Sequence, residues 1–157
     1  MRKKLTLSLL AILTSTAMTV SIADTSPSTN FKKPEDAVKY RQSAFSMMAY
    51  NFGDIGTMLK GKKPYNAASV ITRAENVAAL SKLPLEGFVQ SDGLDQRDAL
   101  DKIWTEKAKF NEKMKTLQQS ASMLVVAAKS GDRKAVQKAF MTTGKSCKSC
   151  HDDYKKD

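Results

Sequence analysis

Cys147-Lys148-Ser149-Cys150-His151 is the string whose residue types and spacing carry chemistry most directly in this 157-residue chain. It holds both cysteines and the single histidine. One histidine excludes multi-histidine metal sites and any mechanism needing two imidazoles. Zinc wants about four ligands, more than two Cys and one His supply. A redox-active CxxC of the thioredoxin type expects a βαβ context. A disulfide stays chemically open if the chain is exported. The remaining use is covalent attachment of haem c, which CxxCH marks. On a helix, residues three and four apart share a face. Both thiols can then add across the two vinyl groups of one haem. His151, next to Cys150, can direct an imidazole nitrogen at the iron as an axial ligand.

Those five residues need elements to position them, and the first segment to set aside is the N-terminus. Arg2, Lys3 and Lys4 form a basic region. Leu5 to Val20 is apolar, diluted by Thr and Ser, and Ser21-Ile22-Ala23 offers small residues at a cleavage site. The pattern predicts a secretory signal peptide over 1–23 rather than a membrane anchor. Cleavage after Ala23 leaves 134 residues and lowers the charge from +10 to +7, since three basic residues and no acidic ones are lost. No second apolar run reaches bilayer length. The expectation is a periplasmic protein with no membrane anchor after processing. Nucleic acid is not an expected partner: the lysines are interspersed with acids, as on a solvated helix surface, and export argues against it.

Residues 24–33 read as a polar lead-in, and 34–157 as one domain. Four amphipathic helices follow, without strand-like alternation. The first opens at Pro34 with Glu35 and Asp36 in its first turn, and is expected to end near Gly61, weakened by Gly53 and Gly56. Its inner stripe is Val38, Arg41, Phe45, Met48, Phe52, Ile55 and Leu59, spaced by threes and fours. The second starts at Asn66 as N-cap, carries Val70, Ile71, Ala74, Val77 and Ala78 inward, and stops by Pro84. A loop spans Leu85 to Gln96. The third helix runs from about Arg97 to Lys129, with Leu100, Ile103, Phe110, Met114, Leu117, Ala121, Leu124 and Ala128 inward. Gly131 suits a left-handed helix end, and Asp132 can cap the fourth helix. That helix runs from Arg133 towards Tyr154, loosened near Gly144. The fold class is all-α: an up-down-up-down antiparallel four-helix bundle with haem c attached near the C-terminus.

A CxxCH on the last helix of an exported bundle resembles cytochrome c′. So do Lys33-Pro34-Glu35-Asp36-Ala37-Val38-Lys39-Tyr40-Arg41-Gln42, Pro64-Tyr65, the Ile103-Trp104 pair and the ending Cys-Lys-Ser-Cys-His-Asp-Asp-Tyr-Lys-Lys. Arg41 sits in an apolar seam, where a charge needs a partner. A haem propionate would supply one, and so would an Asp or Glu reached by snorkelling. The resemblance favours the propionate. It also implies haem contacts at Gln42 and Asp98, and an apolar side chain covering the distal haem face, here Phe45. Phenylalanine cannot ligate iron. The implied centre is therefore five-coordinate and high-spin, with a dry pocket that admits NO and CO past a gate at Phe45. Lys155 stands where the family often has a basic residue on the proximal side. Met48, one turn beyond Phe45, is the competing reading: a thioether sixth ligand would make a low-spin electron carrier. The expected function is gas binding and one-electron exchange with a redox partner protein, without enzymatic turnover, because no distal acid–base group is evident. The family resemblance further implies a homodimer through the first and second helices.

Overall fold

The computed structural model describes residues 31–156. The expected signal peptide and residues 24–30 of the lead-in lie outside the described residues. Helix α1 spans Pro34–Leu59, α2 Ala67–Leu80, the single turn α3 Lys102–Thr105, α4 Lys107–Lys129 and α5 Arg133–Tyr154. A 3-10 turn, Pro84–Gly87, follows α2 and packs against α1.

Local chemistry sets most boundaries. Pro34 takes the first turn of α1, with Glu35 and Asp36 beside the helix's positive end. At the other end the amide of Lys62 donates to Thr57 O (2.9 Å) and that of Gly61 to Met58 O (3.2 Å). This paired closure satisfies two orphan carbonyls. Asn66 caps α2 by accepting from the Ser69 amide at 2.8 Å, as its type and position predict. Gly131 has φ +74°, and Asp132 accepts from the Lys134 amide at 2.8 Å.

The helices pack in the order α1, α2, α4, α5 around the bundle, and α1 and α5 approach each other far less than the other neighbours do. The core lies in three tiers. Ile55, Met58, Val70, Leu124 and Val136 fill the lower one, where α1 ends. Met48, Val77, Leu117 and Ala121 fill the middle, and Ile103, Phe110, Met114 and Tyr154 the upper. Each fully buried large side chain contributes about 1.5–3 kcal/mol. Among the described residues no helix is long and apolar enough to cross a membrane.

Two sequence expectations need correction. The third helix does not start at Arg97. Arg97 has φ +53°, and its amide donates to Asp95 Oδ1 in a local turn. Residues 98–101 then spend backbone bonds on the end of α5: the Leu100 amide donates to Tyr154 O, and Ala99 bridges Lys155. A break at Glu106, with φ −115° and ψ 34°, separates α3 from α4, so the long helix is 23 residues, about 34 Å, rather than thirty. The second correction concerns Gly56 and Gly144, which do not loosen their helices. Gly56 lets α1 and α5 close at the lower end: a Cβ there would lie 2.9 Å from Phe140 Cζ, whereas one on Gly144 would make ordinary contact, 3.6 Å from Phe52 Cζ. Between them the Phe52 and Phe140 rings stack at 4.1 Å. Above that stack the two helices stay apart.

Candidate functional site

The gap between α1 and α5 is a cleft of about 990 Å³. That is the upper range for pockets holding small molecules and cofactors. Phe45 and Met48 face it from α1, Phe110 and Met114 from α4, and Cys147 and His151 from α5. Arg41, Gln42, Asp98, Cys150 and Lys155 also border it. The structure thus gathers the candidate haem-site residues named from the sequence around one opening.

On α5, both thiols are free and partly buried. Burial pushes the Cys147 thiol up, and pushes Cys150 up to about 11. A redox-active CxxC needs a lowered thiol pKa, so these cysteines are not poised as thiolates. His151 is held below its ordinary value, first by desolvation and then by the charge of Lys155, with Asp152 opposing. A neutral imidazole is the form a metal binds. The turn bearing the motif is tied to α4. Lys113 donates to Ser149 O (3.0 Å) and Ser149 Oγ (2.7 Å), and pairs with Asp153 at 2.9 Å.

On α1, Arg41 is 3% exposed, and no carboxylate among the described residues meets it. Its Nη1 donates to Gly87 O (2.8 Å) and Gln96 Oε1 (2.9 Å), and its Nη2 to Gln96 O (2.8 Å). All three acceptors are neutral. The guanidinium lies over the Phe88 ring, 4.5 Å from its centroid. Burial lowers its pKa from a very high starting point, and the group stays cationic. The snorkelling alternative, an Asp or Glu partner, is therefore absent among the described residues. Gly87 packs so close to α1 that a Cβ would lie 2.5 Å from Ala37 O.

Phe45 starts a line of aromatic edges across the cleft wall. Its ring meets Phe88 at 6.3 Å, Phe88 meets Phe110 at 4.7 Å, and Phe110 meets Tyr154 at 5.3 Å. Tyr154 donates to Glu106 Oε2 at 3.0 Å, which anchors the line at the α3–α4 break. Met48 is 7% exposed and packs on Val77, Leu117 and Ala121 while bordering the cleft. Gln42, Asp98 and Lys155 are exposed rim residues. The Lys155 ammonium donates to Lys156 O at 3.2 Å. Sequence reasoning missed Phe88, Gln96, Gly87 and Lys113. The first three lie in the aperiodic loop, and Lys113 looks like any other lysine on a solvated helix.

A family model described as Cytochrome C' matches residues 36–155. The chain belongs to the cytochrome c′ family. Cytochrome c′ of Alcaligenes xylosoxydans xylosoxydans is 43% identical over 126 residues, covering 80% of this chain and 98% of that one. The solved structure of cytochrome c prime from Shewanella frigidimarina is 58% identical with TM-score 0.78, covering 82% of this chain and all of that one. A nitric oxide complex of a leucine-to-alanine variant of cytochrome c prime from Alcaligenes xylosoxidans is 42% identical with TM-score 0.75, covering 82% and 99%. The four-helix fold is that of the family. Cytochromes c′ carry haem c covalently, and haem c is the cofactor here. The residues of this cleft fit it: two free thiols one helical turn apart, an imidazole beside them, an apolar interior, and a buried cation without an acidic partner.

Proposed function

We propose that this cytochrome c′ is an exported, periplasmic gas-binding protein that also exchanges single electrons with a partner protein. The observation that carries the reading is the cleft between α1 and α5, with Phe45 and Met48 on its α1 wall and His151 on its α5 wall. When bound, haem c supplies an iron that takes one neutral diatomic ligand and changes oxidation state by one electron.

The chain's own residues do the rest. Cys147 and Cys150 would hold the group through two thioethers, each S–H adding across a vinyl C=C with nothing released, and His151 would provide the protein ligand. Arg41 keeps two donors for a propionate carboxylate, its Nε–H and the second Nη2–H, for which no acceptor is found among the described residues. Gln42 sits at the rim beside Arg41, where its amide N–H would donate to a propionate, and Asp98 sits near the expected haem edge. Phe45, Phe88 and Phe110 keep the α1 side dry, so water and anionic ligands are disfavoured while NO and CO are admitted. Phe45 must swing aside for entry and so acts as a gate. Lys155 places a positive charge at the proximal rim. The relative solved as a nitric oxide complex supports NO as a ligand. No second imidazole faces the cleft, which supports binding rather than turnover. On the outer face of α1, Met47 and Tyr50 are 50% and 68% exposed, which supports a homodimer through α1 and α2.

Met48 also borders the cleft, so thioether ligation is the competing reading. Its packing among Val77, Leu117 and Ala121 favours a core role.

The test is expression of the full chain in a host that matures c-type cytochromes. A periplasmic band that begins at Asp24 and stains for haem after denaturation is expected. Cys147→Ser/Cys150→Ser should give no stained band. A stained double variant, or protein retained in the cytoplasm, contradicts the proposal.

A further inference from the structure

Gln96 makes the most specific contact in the cleft that gas binding and haem attachment leave unused. It is a buried polar residue in an irregular segment, between a 3-10 turn and α3. Both of its acceptors serve Arg41, the main-chain O being shared with the Ala99 amide (3.1 Å). Its side-chain Oε1 takes an Nη1 hydrogen and its main-chain O takes an Nη2 hydrogen. Its own Nε2 donates to Val89 O at 3.0 Å, which fixes the amide so that Oε1 faces the guanidinium.

A guanidinium has five N–H donors. Gly87 and Gln96 occupy three of them, both on Nη1 and one on Nη2. The two left are on Nε and Nη2, the adjacent pair that matches a carboxylate with two parallel bonds. Phe88 covers one face of the same group at 4.5 Å. We infer that Gln96 is a positioning residue: it clamps the end of the Arg41 guanidinium, so that the Nε/Nη2 edge is presented to a haem propionate with its charge uncancelled. A glutamate there would hold the same hydrogens but neutralise the cation. The neutral amide holds the group and leaves its charge to the cofactor. The clamp is also fastened to the helix that bears His151. The Leu100 amide donates to Tyr154 O (3.0 Å) and the Lys156 amide to Asp98 O (2.7 Å). One short segment thus sets Arg41 relative to α5.

The assignment rests on the reading that the cleft holds haem c with a propionate against Arg41, and the test separates the two. The reduction potential of haem-loaded protein is measured for wild type, Gln96→Met, Arg41→Met and the double variant, with thermal unfolding alongside. Methionine for glutamine is neutral for neutral, so it cannot act on the iron through its own charge. Gln96→Met should lower the ferrous/ferric ratio at fixed potential about threefold, a shift of about 28 mV at 59 mV per tenfold for one electron. Arg41→Met should lower it further, and the double variant should match Arg41→Met alone. If Gln96→Met leaves the potential at the wild-type value, or its effect adds in full to that of Arg41→Met, the positioning role is overturned while the propionate reading stands. A lower melting temperature with an unmoved potential overturns it equally. If Arg41→Met itself leaves the potential unchanged, the propionate reading fails and takes the inference with it. Should Gln96→Met not fold with haem, Gln96→Asn carries the same cycle with the same outcomes, since its amide falls a methylene short of Arg41.

Discussion

Phe45→Ala should open the distal side and speed gas entry without speeding release. The magnitude follows from what Phe45 leaves when it swings away. It gives up an edge contact with Phe88 at 6.3 Å, a pair worth about 0.5–1.5 kcal/mol. It also gives up partial burial, for which about half of a phenylalanine's burial energy is appropriate, some 1.5 kcal/mol. Together these make an entry cost of about 2–3 kcal/mol, which at 1.36 kcal/mol per tenfold corresponds to about 30- to 160-fold in rate. The ring is displaced both at the entry barrier and in the liganded state. Its removal therefore falls on association and leaves dissociation nearly unchanged. The assay is CO association followed by flash photolysis or stopped flow on the reduced protein, with CO dissociation measured by ligand exchange. Thermal unfolding of the variant checks that the bundle is intact. Association within about twofold of wild type in a folded variant would refute Phe45 as the gate. So would an acceleration that appears equally in dissociation.

Two further perturbations probe the frame around the cleft. Gly87→Ala forces a Cβ to 2.5 Å from Ala37 O and 2.8 Å from Arg41 Cβ; it should cost about 1–3 kcal/mol by denaturant unfolding, and unchanged stability would mean that the 84–88 turn is not held against α1. Asp54 is held below its ordinary carboxylate range, first by the hydrogen bond from Lys63, with Arg73 adding to it and desolvation opposing. Its folded-state value is depressed, so its contribution to stability is present above the unfolded value of about 3.9 and is lost as pH falls through the folded value. The melting temperature of wild type should exceed that of Asp54→Asn near neutral pH, and the difference should shrink below about pH 4; a gap unchanged at low pH contradicts the assignment.

The parts of the site legible in the sequence are those encoded by helical periodicity or by a contiguous motif. Cys147, Cys150 and His151 are neighbours on one turn. Arg41, Phe45 and Met48 share the α1 stripe by spacing, and the family resemblance, not the spacing, set that stripe against the cofactor. Loop chemistry was not legible. Phe88 and Gln96 follow no period, and nothing in their types says that the chain folds back to place them on Arg41. The misplaced start of the third helix has a physical cause: α3 and α4 differ by a break at Glu106 that keeps Ile103 in step with Phe110 and Met114, so the apolar pattern runs across it. Gly56 and Gly144 look like weak points from helix propensity, and tertiary contact decides otherwise. Phe140 fills the space Gly56 leaves and stacks on Phe52, and Gly144 sits within an unbroken α5.

The most direct measurement is the visible absorption spectrum of the exported protein, ferric and dithionite-reduced, before and after CO. Broad, merged high-spin bands that sharpen when CO is added are predicted, because in the proposed site His151 would be the protein ligand and Phe45 can supply none. Sharp, split low-spin bands that do not respond to CO would contradict an open distal face and make Met48 the sixth ligand.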